Sequence, residues 1–134
     1  MSDKKLEIGI IGKQEAVVEE KYTAKAMGSG GLEVFATPAM IAFCEKTALE
    51  SVKEYLDEST STVGTKVNIA HLAATPVGMK VSCETKLVEI DRRRLVFSVV
   101  VYDEKEKIAE GMHERFIVDN AKFVEKAKAK GLCV

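Results

Sequence analysis

The amino-acid sequence predicts an α+β domain, an antiparallel sheet covered on one face by a single long helix. Three observations lead there. From Pro38 to Leu56, apolar residues recur at helical spacing: Ile41, Ala42, Ala48, Leu49, Val52 and Leu56 share one stripe, and Lys46, Glu50, Lys53, Glu54 and Asp57 lie opposite. Four strand-like stretches follow between Thr65 and Val118, joined by short connections. The order is therefore one strand, one long helix, then four strands in succession, which suits a helix laid on an antiparallel sheet.

Taken in order, residues 6–24 carry Val17, Val18, Tyr22 and Thr23, β-branched and aromatic positions expected to hold the first strand. Gly28-Ser29-Gly30-Gly31 reads as a flexible turn. Thr37-Pro38 is a helix start, a hydroxyl that can cap followed by proline at the first helical position. From Thr65 to Ala73, Thr65, Val67, Ile69, His71 and Ala73 alternate with Lys66, Asn68, Ala70 and Leu72. From Met79 to Leu87, Met79, Val81, Cys83 and Leu87 alternate with Lys80, Ser82, Glu84 and Lys86. Leu95 to Tyr102 is apolar on both sides, as a central strand is. The polar turn Asp103 to Lys107 leads into a last strand from Ile108 to Val118, and residues 120–130 have helical composition with a basic end.

A chain of 134 residues makes one domain, 1–134, large enough to bury a core without metal or disulfide support. Its 46% hydrophobic and 31% charged residues are ordinary for a globular protein, and a formal charge of -1 gives no support to nucleic acid as a partner. Cys44, Cys83 and Cys133 lack paired spacing, and none has His or Cys at metal-ligand spacing; reduced thiols in a cytoplasmic protein are expected, with Cys44 and Cys83 in the core and no metal. The patch Ile8 to Ile11, broken by Gly9, is too short for a signal peptide, and Leu95 to Tyr102 is far below a membrane span.

The outlier of the helix is Glu45, a carboxylate near the middle of the apolar stripe. Burying it is costly unless it is paired, hydrogen-bonded or protonated, so it is a candidate site residue; an ion pair or a reach to water would account for it equally. His71 shares a strand face with Val67 and Ile69 and is expected to point toward the helix, as a second titratable group or as a neutral core histidine. Thr37 caps the helix or, beside the free N–H groups of the helix start, faces an anion or developing oxyanion. Eight residues of helix rise about 12 Å, so Thr37 and Glu45 cannot bond directly on a straight helix. His113 is expected on a surface or sheet face, and Arg115 is either a solvated charge or an anchor for a carboxylate or phosphate. Arg92-Arg93-Arg94 reads as a solvated turn with a secondary role toward phosphates, and Gly64 either starts a strand or admits a ligand close to the backbone.

Four segments together resemble a known family: Val34-Phe35-Ala36-Thr37-Pro38-Ala39-Met40, Val63-Gly64-Thr65, His71-Leu72-Ala73-Ala74-Thr75-Pro76-Val77-Gly78-Met79 and His113-Glu114-Arg115. They are similar in order and spacing to the hot-dog-fold thioesterases of the fluoroacetyl-CoA thioesterase-like group, from about residue 14 to 128. The resemblance implies a hot-dog fold, a long central helix wrapped by an antiparallel sheet, and a homodimer with sites at the subunit interface. It implies catalytic roles for Thr37, Glu45 and His71 and substrate contact by Gly64 and Arg115. It also implies an acyl-CoA substrate and no separate cofactor, CoA entering only as part of that substrate. One departure stands out: where the fluoroacetyl-specific enzyme has bulky aromatic residues just upstream of its V-F-A-T segment, this chain has Met27-Gly28-Ser29-Gly30-Gly31.

The expected function is thus hydrolysis of a short- or medium-chain acyl-CoA, without selectivity for the fluorinated acyl group. The alternatives are a non-catalytic protein that holds an acyl-CoA in the same groove, and a hydratase of an enoyl thioester, for which no clear Asp-His arrangement is visible.

Overall fold

The computed structural model describes residues 4–132, so Cys133 lies outside the described residues. The elements are β1 (Ile11–Val17), a 3-10 turn (Glu20–Tyr22), α1 (Ala24–Met27), α2 (Thr37–Lys53), β2 (Thr60–His71), β3 (Lys80–Asp91), β4 (Arg94–Tyr102), β5 (Lys107–Asp119) and α3 (Asn120–Leu132). The strands form one antiparallel five-stranded sheet in the order β1-β3-β4-β5-β2. β2 follows the helix directly in sequence yet lies at the sheet's edge.

The α+β reading holds, with local differences. The first strand ends at Val17, and Thr23 instead caps α1, its Oγ1 accepting the Ala26 N–H at 3.1 Å. Gly28, at φ 72, then closes α1 in the left-handed region. α2 stops at Lys53 rather than Leu56, because tighter turns follow in which Tyr55 N–H reaches the Val52 carbonyl at 3.0 Å. β2 begins at Thr60 rather than Thr65, since Thr60–Val63 already pair with Asp119–Phe116.

The core lies between α2 and the sheet face that carries Val81, Cys83 and Leu87 on β3 and Leu95, Phe97, Val99 and Val101 on β4. Against it α2 buries Met40, Cys44, Ala48 and Val52. This stripe is rotated from the one that periodicity suggests: Ile41, Glu45 and Leu49 lie at its margin and are only half-buried. Cys44 and Cys83 are buried free thiols, and the hydrogen bond with Cys83 together with burial pushes the Cys44 thiol up. No helix among the described residues is long and apolar enough to cross a membrane.

Gly12 lets α2 sit close on β1. A Cβ there would lie 2.6 Å from Ser51 Cβ, 2.6 Å from Thr85 Oγ1 and 2.9 Å from the Thr47 carbonyl oxygen, which is helix backbone. Gly12→Ala is therefore expected to lift the helix and lower stability by about 1–3 kcal/mol, as overpacking a filled interface does. Urea unfolding of the two proteins measures it; an unchanged midpoint would show that the helix has room to move.

Candidate active site

The site is assembled along one flank of α2, at its start and at its middle. At the first of these, α2 begins at Thr37 and the N-cap position falls to Ala36, whose side chain makes no capping bond. Thr37 therefore does not take the capping role that Thr37-Pro38 suggested. Its Oγ1 is hydrogen-bonded to His71 Nδ1 at 2.7 Å.

The segment after β2 brings the two together. Leu72 N–H donates to the Ile108 carbonyl at 2.7 Å, and Phe35 N–H donates to the Thr75 carbonyl at 2.8 Å. Val34 bridges to Pro76, and the buried Thr75 hydroxyl donates to Asp103 Oδ2 at 2.8 Å. These bonds strap the chain before α2 to the end of β2, so Thr37 meets His71. Burial holds the His71 imidazole below its ordinary pKa, against an opposing pull from the Ala73 backbone, and its buried Nε2 has no partner among the described residues. A neutral imidazole beside a hydroxyl is the pairing of a general base with a nucleophile. A cavity of about 330 Å³ opens over the pair, with Ser29, Val34 and Phe35 in its wall.

At the middle of α2 lies Glu45. Its side chain is 40% exposed, so it is not aimed into the core as the apolar stripe had suggested. It leans over Gly64, where a Cβ would come within 2.7 Å of Glu45 Oε2, and stands 4.0 Å from Arg115 Nη1. The choice left open for Arg115 is resolved toward burial. Its Nε donates to Thr62 Oγ1 at 2.7 Å, its Nη2 to the Thr62 carbonyl at 2.8 Å and its Nη1 to His113 Nε2 at 3.2 Å. Burial lowers the Arg115 pKa from its ordinary value, and the Glu45 carboxylate works against that.

Of the two places expected for His113, a surface or a sheet face, it takes the sheet face, and it is fully buried there. The register explains it: His113 lies between Phe97 on β4 and Val67 on β2, on the face that α2 covers. Its alternation with Arg115 and Ala109 held that information, but a polar neighbourhood hid it. Arg92 does lie in the turn, whereas Arg94 is drawn into β4 and pairs with Glu89 at 2.7 Å and Glu114 at 2.8 Å.

Thr37 with His71 and Glu45 with Gly64 and Arg115 form two clusters that one chain does not join. Their separation is about 12 Å along the helix and about 23 Å of extended strand from Gly64 to His71. Among the described residues, no group of three or more His, Cys, Asp or Glu could hold a metal ion.

A five-stranded antiparallel sheet wrapped on one long helix, with hydroxyl, imidazole and carboxylate along the helix flank, is the hot-dog architecture of thioester hydrolases, and this chain is an enzyme of that class. Residues 18–121 match the model of the family FlK, fluoroacetyl-CoA-specific thioesterase, and the chain belongs to that family. It is 34% identical over 98 residues to the fluoroacetyl-CoA thioesterase of Streptantibioticus cattleyicolor, covering 73% of this chain and 70% of that protein. It superposes on the solved fluoroacetyl-CoA thioesterase FlK with a TM-score of 0.90 at 28% identity, covering 95% of this chain and 98% of the other. A phenylalanine-to-alanine mutant of FlK in complex with fluoroacetate and CoA matches at 0.84 and 28% identity, over 88% of this chain and 99% of the other.

Both histidines give a sign for pH dependence. Burial lowers the pKa of His71 and His113, so the native state refuses protons that the unfolded chain takes up near pH 6.5. Their contribution is present above about pH 6.5 and is lost as the pH falls below it. The melting temperature is expected to drop between pH 7 and pH 5, and to drop less in His113→Gln. A scanning-calorimetry series in pH checks this, and a melting temperature that rises on acidification would contradict it.

Proposed function

We propose that the protein hydrolyses a short- or medium-chain acyl-CoA in sites shared between two copies of the chain. The observation that carries this reading is the Thr37–His71 pair, whose second imidazole nitrogen, Nε2, has no partner among the described residues. The Glu45 carboxylate of the same chain is too distant to be that partner. A dimer supplies it. β2 is an edge strand, and Val67 near its middle is apolar and 42% exposed. Antiparallel pairing of β2 with a second β2 about Val67 and Asn68 would cover that residue and set Gly64 of one copy against His71 of the other. Glu45, leaning over Gly64, would then reach the second copy's imidazole.

In such a site the Thr37 oxygen adds to the thioester carbonyl carbon while its proton passes to His71 Nδ1. Glu45 of the second copy accepts from the Nε2 side and holds the ring. N–H groups at the start of α2 meet the developing oxyanion: Met40 N–H makes the bond to the Ala36 carbonyl at 2.9 Å, and Pro38 has no N–H, which leaves those of Thr37 and Ala39. The carbon–sulfur bond breaks, and the CoA thiolate leaves and takes up the proton. Water, deprotonated by the same imidazole, then releases the acid and restores Thr37. Gly64 leaves room for the Glu45 carboxylate, and Arg115 stands beside it as a fixed cation. No cofactor is required, CoA being part of the substrate. With Met27-Gly28-Ser29-Gly30-Gly31 beside the cavity, no aromatic side chain from that stretch narrows it, so the acyl pocket is open rather than selective for fluoroacetyl.

Thiol release from a series of acyl-CoAs, acetyl to decanoyl, tests the reading. Thr37→Ala, Glu45→Gln and His71→Ala are each expected to reduce kcat at least about 100-fold, the scale of general acid–base and nucleophilic groups. Saturable binding of acyl-CoA without turnover by the wild type would leave the ligand-holding alternative in its place.

Mixing tests the shared site. Glu45→Gln and His71→Ala proteins, inactive apart, are expected to regain partial activity when unfolded and refolded together, because a mixed dimer carries one complete site. No recovery, with mixed dimers shown by native mass spectrometry, would mean that each site is built from one chain.

A further inference from the structure

We infer that His113, fully buried, is a positioning residue that sets the Arg115 guanidinium against Glu45. This deepens the thioesterase reading and rests on it. The bonding pattern carries the inference. A carbonyl can only accept, so the 2.9 Å contact of His113 Nδ1 with the Lys66 carbonyl requires the proton on Nδ1. A guanidinium can only donate, so the 3.2 Å contact of His113 Nε2 with Arg115 Nη1 requires a lone pair on Nε2. The two partners thus select one neutral tautomer, and only that tautomer can serve both.

The consequence falls on Glu45. Thr62 holds Nε and Nη2 of Arg115, and His113 takes the third side through Nη1, so the planar fork is fixed at three of its edges. Nη1 is also the atom that stands 4.0 Å from Glu45 Oε2. Without His113 the fork would keep its hinge on Thr62 but lose the bond that directs Nη1. The backbone side of the relay is local too: Lys66 follows the register shift of β2 between Gly64 and Lys66, beside the glycine over which Glu45 leans. The charged groups around the ring are Glu45 from α2 and Glu114 and Arg115 from β5; β2 contributes the Lys66 carbonyl and β4 the apolar Phe97. Burial, the largest influence, keeps the imidazole neutral, as an acceptor must be.

A core residue that merely filled volume would need none of these bonds, which gives the test. His113→Leu removes the acceptor, whereas His113→Gln can keep an amide oxygen near the Nε2 position. His113→Leu is expected to lower kcat about tenfold or more, with KM changed less than about threefold, because the guanidinium no longer holds its place against the carboxylate. His113→Gln is expected to recover most of kcat. Equal losses in both variants, tracking their melting temperatures, would overturn the inference. A second readout does not depend on turnover: 15N-labelled imidazole spectra of the wild type should show the Nδ1–H neutral form of His113 at pH 7, and an Nε2–H tautomer or an imidazolium would overturn it. A wild type that releases no thiol from any acyl-CoA, yet shows the Nδ1–H tautomer, would refute the thioesterase reading and the link to catalysis while leaving the Lys66–His113–Arg115 relay standing.

Discussion

The seat of α2 on the sheet is the constraint on which the remaining features depend. Small residues on both sides make it close: Gly12 under Ser51 and the Thr47 carbonyl, Ala48 in the contact face. Once the helix lies there, its N-terminus is strapped to the end of β2 by the bonds of Phe35, Val34 and Thr75, and its flank lies over β5 and β2. The 1.5 Å rise of a helix then separates Thr37 from Glu45 by about 12 Å, which no side-chain rotation within one chain removes. The shared site proposed above is a response to that spacing.

Burying a guanidinium between sheet and helix is the second demand of the architecture. A charge out of water is tolerated only if its donors are satisfied, and Arg115 meets this through both oxygens of Thr62 and the imidazole of His113. The same bonds tie β5 to the edge strand β2. They also mean that the cation does not depend on Glu45, whose carboxylate stays 40% exposed and 4.0 Å away, free to take part in chemistry. A carboxylate locked into a bidentate pair would have little of that freedom.

Much of this was legible in the chain, and the reasons for the gaps are physical. The strands β3, β4 and β5 were readable from period and from apolar runs, because pairing on both sides leaves residues no other surface to satisfy. β2 was read short, since Thr60, Ser61 and Thr62 carry little hydrophobic signal and are held by β5 instead. Glu45 stands out in the apolar stripe that periodicity suggests, but the helix is rotated so that it lies on the margin rather than in the core. That His113 is buried on its sheet face was not legible, because a histidine flanked by Met112 and Glu114 looks solvated. Its burial depends on a helix more than fifty positions away in the sequence.

The sequence by itself determined the element types, their order, the start of α2 at Thr37-Pro38 and, through four short segments, the family and the residues worth watching. It could do so because periodicity, proline and glycine act locally, and because a motif keeps its spacing. Only the tertiary structure decided which of those residues meet. Thr37 reaches His71 because a strap closes a loop, Arg115 is clamped because strand register sets Thr62 and His113 beside it, and Glu45 stays apart because a rigid helix holds it there. Contacts of that kind arise from packing between distant segments, and no local pattern encodes them.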